Sequence, residues 1–170
     1  MRIENKPKKS LGQNFLIDKN IIKKIVELEN IGENKNILEI GPGYGSLTQE
    51  ILKIKPKNII AIEKDKKLSL YLKDIFKNNE NLKIINDDIF NIIKNENFDK
   101  NVIVFGNLPY NISTKILTSL VVLKKWPPWY DVLILMFQKE VADRIIAKKN
   151  TKNSNRLAIL CNWRLDIKKH

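Results

Sequence analysis

The sequence predicts an α/β domain in which a mostly parallel sheet carries helices on both faces. Two observations predict it. Short apolar runs alternate with helix-period segments at nearly every step along the 170 residues, the pattern of parallel strands joined by helical crossovers. Four of those runs in succession end in a glycine or a polar residue, at Gly41, Glu63, Asp88 and Asn107. In such sheets ligands bind beyond the carboxyl ends of the strands.

The elements follow in order. Asp18 precedes a stripe of Ile21, Ile22, Ile25, Val26 and Leu28, a helix with an aspartate N-cap. "NILEI" (36–40) is a first strand, "GPGYGS" a glycine loop, and Leu47, Ile51 and Leu52 mark the helix after it. "NIIAIEKD" (58–65) is a second strand, followed by a helix over 66–77. "LKIINDD" (82–88) is a third strand and "NVIVFGNLPY" (101–110) a fourth. A helix over 113–123 comes next, with Ser113 as its cap; "KKWPPW" (124–129) is a loop. "YDVLILMFQ" (130–138) is a fifth strand, and "KEVADRIIAKK" (139–149) the helix behind it. Residues 156–167 read as a helix running into the start of a strand. No repeat or linker interrupts the chain, so one domain over 1–170 is expected.

Composition narrows the chemistry. Cys161 is the only cysteine and His170 the only histidine, which argues against a disulfide, a Ser-His-Asp triad or a histidine metal site. No metal is expected. A single cysteine fits a reducing cytoplasm. No apolar run reaches the length of a membrane span, and the start "MRIENKPKKSLGQ" lacks the apolar core of a secretory signal. The net charge of +12 and pI near 9.7 suit a polyanionic partner. Only four of the 31 basic residues are arginine, and heavy use of Lys, Asn and Ile also fits a nucleotide bias.

The strand ends carry the functional signal. Gly41, Gly43 and Gly45 let the backbone turn tightly and approach a ligand, and the helix start behind them favours an anion. A tight strand–helix turn alone would also use them. Glu63 lies about twenty residues on, where a carboxylate can accept both hydroxyls of a ribose. Loop and acid together point to an adenosine-containing ligand, without separating a nicotinamide dinucleotide from S-adenosylmethionine. Asp88 is placed to accept from an adenine amine, and Asp87 is the alternative, or the cap of a short helix.

The fourth strand ends in Asn107, Leu108, Pro109 and Tyr110. The Asn107 side-chain oxygen and a backbone carbonyl near Leu108 can accept the two N–H bonds of an adenine amine and aim its lone pair. Pro109 stiffens the turn, and Tyr110 offers a face for a base. Asn and Pro in ordinary turn roles are the plainer reading. With an activated methyl donor, such a site needs no histidine, thiol or metal.

"LGQNFL" (11–16), "EIGPGYGSLT" (39–48), "FGNLPYNIST" (105–114) and "FQKEVADRI" (137–145) closely resemble the KsgA family of small-subunit ribosomal RNA adenine dimethyltransferases. The resemblance covers essentially the whole chain. It implies a Rossmann-like class I S-adenosylmethionine-dependent methyltransferase that dimethylates N6 of two adjacent adenosines near the 3′ end of small-subunit RNA. It implies a cytoplasmic monomer that meets the assembling small subunit and no membrane. Within it, Asn14 and Leu16, in the segment 1–17, match the part that closes over the cofactor. Gly41, Glu63 and Asp88 match cofactor contacts at the methionine, ribose and adenine. Asn107, Leu108, Pro109 and Tyr110 match the methyl-transfer motif, Asn107 also touching the cofactor. On the residues alone, Phe15 and Leu16 could simply staple the helix start at Asp18. The family continues past residue 170 with a strand pair, a Phe- and Pro-rich loop and a small helical domain, so the sheet's final strands are expected to be missing and its last strand to be an edge.

The Erm family of large-subunit methyltransferases shares the fold but more often reads "NIPY" and lacks this "LGQNFL". A non-catalytic assembly factor would not need Asn107–Tyr110, and a nicotinamide oxidoreductase would leave them unexplained.

Overall fold

The computed structural model describes residues 15–29, 31–94, 98, 101–148 and 155–170. Its strands are β1 Asn36–Ile40, β2 Asn58–Ile62, β3 Leu82–Ile85, β4 Val102–Asn107 and β5 Tyr130–Met136. Its helices are α1 Lys19–Val26, α2 Ser46–Lys53, α3 Lys66–Ile75, α4 Ile89–Lys94, α5 Ser113–Val121, α6 Lys139–Ile145 and α7 Arg156–Arg164. All strand pairs are parallel, in the order β3-β2-β1-β4-β5. The expected α/β architecture is therefore present.

The central strands β1 and β4 are buried on both sides because alternate residues feed two cores. Leu38 and Ile40 of β1 and Val102 and Val104 of β4 pack with Ile89 and Ile116 from α4 and α5. Ile37 of β1 and Ile103 and Phe105 of β4 pack on the other face with Ile22 and Ile25 of α1 and Ile51 of α2. Each of these side chains contributes about 2 kcal/mol by leaving water. A third cluster joins Leu117 and Val121 of α5 to Ile145 of α6 and Cys161 of α7.

The chain moves outward from β1 to β2 and β3, then returns to lay β4 on the other side of β1. That reversal opens a crevice between the ends of β1 and β4. Gly41 follows the first of these strands and Asn107 ends the second.

Local details correct two expectations and add one cap. Ser113 is the first residue of α5 and not its cap; Ile112 holds the cap position, with no side-chain bond. Ser113 Oγ instead donates to the Tyr110 carbonyl at 3.3 Å. After α7, residues 165–170 form no strand; Leu165 and Ile167 pack on the third cluster. Asp65, hidden in the charge run "EKDKK", caps α3 by accepting from the amides of Lys67 and Leu68. The Asp18 cap of α1 is as expected, accepting from Asn20 and Ile21. Asn14 lies outside the described residues.

Candidate active site

The glycine loop builds one wall of the crevice. The Gly41 amide donates to the Ile62 carbonyl at 3.0 Å, extending the ladder between β1 and β2 by one bond. Gly41, Gly43 and Gly45 then take φ of +68°, +60° and +82°, where a side chain costs about 1–2 kcal/mol per residue. A Cβ on Gly43 would sit 3.0 Å from the Phe15 ring. Phe15 stacks on Tyr44 with ring centroids 4.6 Å apart, and Tyr44 meets Tyr71 edge-on at 5.8 Å. Phe15 thus covers the loop and does not staple α1, whereas Leu16 packs against the core beside α1 and α2.

Glu63 sits at the end of β2 with both oxygens fixed. Oε2 accepts from the Gly43 amide at 3.1 Å, and Oε1 from the Asp65 amide at 2.8 Å. Burial pushes its pKa above the usual carboxylate range, and the two amide bonds partly offset that. Each oxygen keeps lone-pair capacity for a further donor.

Glu39 shares the crevice from inside β1. It is 1% exposed, and its Oε2 accepts from Thr48 Oγ1 at 2.7 Å. Burial pushes its carboxyl up to about 7; the Thr48 bond lowers it and the nearby Glu63 charge raises it further.

At the end of β3, Asp88 rather than Asp87 bonds the start of α4. Its Oδ1 accepts from the Phe90 amide at 3.0 Å, and its Oδ2 pairs with Lys64 Nζ at 2.8 Å. Partial burial alone would raise its pKa, but Lys64 and the Phe90 amide outweigh that, and the carboxyl titrates below its ordinary value. Asp87 accepts from the Asp88 amide and from the Asn91 side chain.

At the end of β4 the chain turns through Asn107, Leu108, Pro109 and Tyr110. The Ile112 amide donates to the Pro109 carbonyl at 3.1 Å, and the Ser113–Tyr110 bond ties the turn to α5. Asn107 and Pro109 line the crevice. Leu108 does not: it is 1% exposed and packs in the core under the turn. Tyr110 lies outside the lining and is 40% exposed.

The crevice encloses about 210 Å³. Of the residues singled out in the sequence, Leu16, Gly41, Glu63, Asp88, Asn107 and Pro109 line it. Sequence reasoning assigned no role to Glu39, Lys64, Tyr44 or Asn111, which line it too. The acid at 39 was legible as a charge inside an apolar strand. Among the described residues, no cluster of three or more metal-ligating side chains occurs, and no helix is long and apolar enough to cross a membrane.

A parallel α/β sheet with a glycine loop, an acid after the second strand and a crevice at its switch point is the fold of the class I S-adenosylmethionine-dependent methyltransferases. Solved structures agree. A dimethyladenosine transferase from Plasmodium falciparum superposes with a TM-score of 0.73 at 30% identity, over 88% of this chain and 52% of that one. The 23S rRNA methyltransferase ErmE superposes with a TM-score of 0.64 over 77% of this chain and 50% of that one, and at 24% identity it speaks to the fold alone.

The chain belongs to the ribosomal RNA adenine dimethylase family, whose model matches residues 4–169. It is 52% identical over 164 residues to ribosomal RNA small subunit methyltransferase A of Pelagibacter ubique, and 46% identical over 168 residues to that of Wolbachia pipientis wMel. The two alignments each take in 96% of this chain, but 62% and 57% of those relatives. The chain therefore spans roughly three-fifths of their length. The resemblance to the KsgA family read from the motifs is borne out.

Proposed function

We propose that this chain carries the catalytic site of an S-adenosylmethionine-dependent dimethyltransferase acting on N6 of adjacent adenosines in small-subunit ribosomal RNA, working in the cytoplasm as a monomer during ribosome biogenesis. One observation carries the reading. The Asn107–Pro109 turn and the Glu63–Gly43 pair open onto the same crevice.

The residues fit the cofactor. Glu63 has two oriented oxygens for a ribose diol. Asp88 is held on the lip for an adenine amine, and Gly41 leaves backbone open for a methionine group. Leu16, which lines the crevice, would close it. Glu63, Asp87 and Asp88 place carboxylates in the lining, which suits a cationic ligand. When bound, the cofactor supplies an electrophilic methyl on a positively charged sulfur. The protein's work is then positioning. The Asn107 side-chain oxygen and the Leu108 carbonyl accept the N–H bonds of the target amine and aim its lone pair, Pro109 holds the two acceptors in place, and Tyr110 stacks on the base.

The test compares wild type with Asn107→Ala in methyl transfer to an unmodified small ribosomal subunit, and in calorimetric titration with S-adenosylmethionine. The variant should lose methyl incorporation at least a hundredfold while keeping most of its cofactor affinity, because positioning is the chief catalytic device. Unchanged incorporation would remove Asn107 from the mechanism. Cofactor binding without any transfer by the wild type would favour a non-catalytic RNA-binding role.

A further inference from the structure

At the opposite end of the sheet from the crevice, the segment between α5 and β5 meets the last turn of α7. Trp126 comes from the first and Trp163 from the second, and the Arg164 guanidinium lies over both rings, at 4.7 and 4.4 Å from their centroids. Arg164 Nη1 also donates to the carbonyls of Val121 and Leu123, each at 2.9 Å. The two carbonyl bonds fix the guanidinium, and the guanidinium fixes the indoles.

Joining α7 to α5 does not account for what the rings do. Arg164 makes that junction with its two carbonyl bonds. Yet Trp163 remains 68% exposed and Trp126 41%, with Ile159 one turn before Trp163 at 65%. The adjoining segments are basic: residues 122–131 and 156–168 carry Lys124, Lys125, Arg156, Arg164 and Lys168 against Asp166 and Asp131, the latter paired with Lys35. A fringe of net positive sign favours a polyanionic partner. Exposed indoles held by an arginine and bordered by lysines are suited to bases that stack and phosphates that need neutralising.

We propose that Trp163 and Trp126, clamped by Arg164, form a second RNA contact that stacks an unpaired base while Lys124 and Lys125 meet its phosphates. The inference rests on the RNA reading above and extends it to a separate face. β5 spans seven residues, so this face lies about 20 Å from the crevice at strand rise. A base gripped here belongs to a different part of the RNA from the target adenosine. Its capture would set the register in which the target is presented.

The experiment measures fluorescence anisotropy of labelled oligoadenylate with wild type, Trp163→Ala, Trp163→Phe and the double variant Lys124→Ala/Lys125→Ala, at low and high potassium chloride. Trp163→Ala should weaken binding about tenfold at both salt concentrations, because stacking of one base carries that order of free energy. Trp163→Phe should retain most of the affinity. The lysine variant should weaken binding at low salt only. Unchanged S-adenosylmethionine affinity shows that each variant is folded.

Wild-type affinity in Trp163→Ala would overturn the proposal, leaving the methyl-transfer reading standing on its own Asn107 test. No oligoadenylate binding by the wild type would likewise overturn the proposal, and the methyl-transfer reading would still stand or fall on the Asn107 test. Self-association in sedimentation that Trp163→Ala abolishes, with RNA affinity unchanged, would make this face a contact between copies and would also overturn it.

Discussion

The Gly43 amide donates to Glu63 Oε2 at 3.1 Å, so the loop after β1 and the acid after β2 form one hydrogen-bonded unit. The second oxygen of Glu63 is tied in the same way to the start of α3 through the Asp65 amide. A ligand that uses the carboxylate meets an acceptor whose orientation has already been set.

Replacing Glu63 therefore does more than remove a charge. Glu63→Gln keeps one acceptor but turns an NH2 group toward either the Gly43 or the Asp65 amide, donor against donor. S-adenosylmethionine affinity should fall by about one to two orders of magnitude, the scale of lost charged hydrogen bonds, and Glu63→Ala should lose more. Calorimetry reads the affinity. Amide exchange at Gly43 and Asp65 reads the cause independently: both amides should exchange faster in Glu63→Ala, and one of them in Glu63→Gln. Tight binding by Glu63→Ala would show that the carboxylate is not a ligand group.

The three glycines of the loop are not equivalent. A Cβ on Gly41 meets nothing within 4 Å, so Gly41→Ala should cost only the backbone strain of a positive φ, about 1–2 kcal/mol. A Cβ on Gly45 would lie 2.7 Å from the Phe76 ring and 2.9 Å from Leu72 Cδ2. Leu72 is fully buried and cannot withdraw. Gly45→Ala should add an overpacking cost of about 1–3 kcal/mol to the same strain. Urea midpoints should rank wild type above Gly41→Ala and Gly41→Ala above Gly45→Ala. Equal losses would mean that the α2–α3 contact yields freely.

Glu39 predicts a pH dependence. Its ordinary pKa is 4.5, and burial raises it to about 7 in the folded protein. The native state therefore holds a proton that the unfolded chain has released. The stability this contributes is fully present below pH 4.5 and is lost as pH rises through about 7. The shift is equivalent to about 3 kcal/mol across that window. Glu39→Gln resembles the protonated acid, keeps an oxygen for Thr48 and has nothing to titrate. Its stability relative to wild type should improve by about that amount between acid and alkaline conditions. Glu63, whose pKa is raised as well, is present in both proteins, so the difference between them reads residue 39 together with its repulsion from Glu63. Denaturation curves that stay parallel across this range would mean Glu39 is ionised throughout.

The sheet was legible because each strand is an apolar run with a change of character at its end, and the central strands β1 and β4, buried on both faces, leave no period-two ambiguity to resolve. Glu63, Asp88 and Asn107 follow from their places at those ends. The missed features depend on direction, which a one-dimensional pattern does not encode. Leu108 stands between two crevice residues, but the turn sends its side chain into the core. Ser113 carries the residue type of a cap, but the helix begins on it, and its hydroxyl faces back to Tyr110. Phe15 was readable as a staple for the nearest helix. Its partner, Tyr44, lies 29 residues away across the glycine loop. Asp65 was masked by four neighbouring charges in "EKDKK".

The buried Leu108 side chain leads to the last prediction. Gly106 has an ordinary φ, so its need for glycine is steric. A Cβ there would lie 2.6 Å from Leu108 Cδ2 and 3.3 Å from Leu135 Cδ2. Leu108 is 1% exposed and has no outward path, so Gly106→Ala must push the leucine and the backbone on either side of it. That backbone carries Asn107 and Pro109 at the crevice. Stability should fall by about 1–3 kcal/mol, the cost of overpacking. Methyl transfer should fall more than tenfold, because misplaced acceptors no longer aim the target amine. S-adenosylmethionine affinity should change little, since Glu63 and the glycine loop are untouched. Adding Leu108→Ala should remove the clash and recover part of the transfer rate, although it leaves a cavity of its own. Full activity in Gly106→Ala would show that the turn keeps its geometry without support from Leu108. A double variant no more active than the single would place the damage elsewhere in β4.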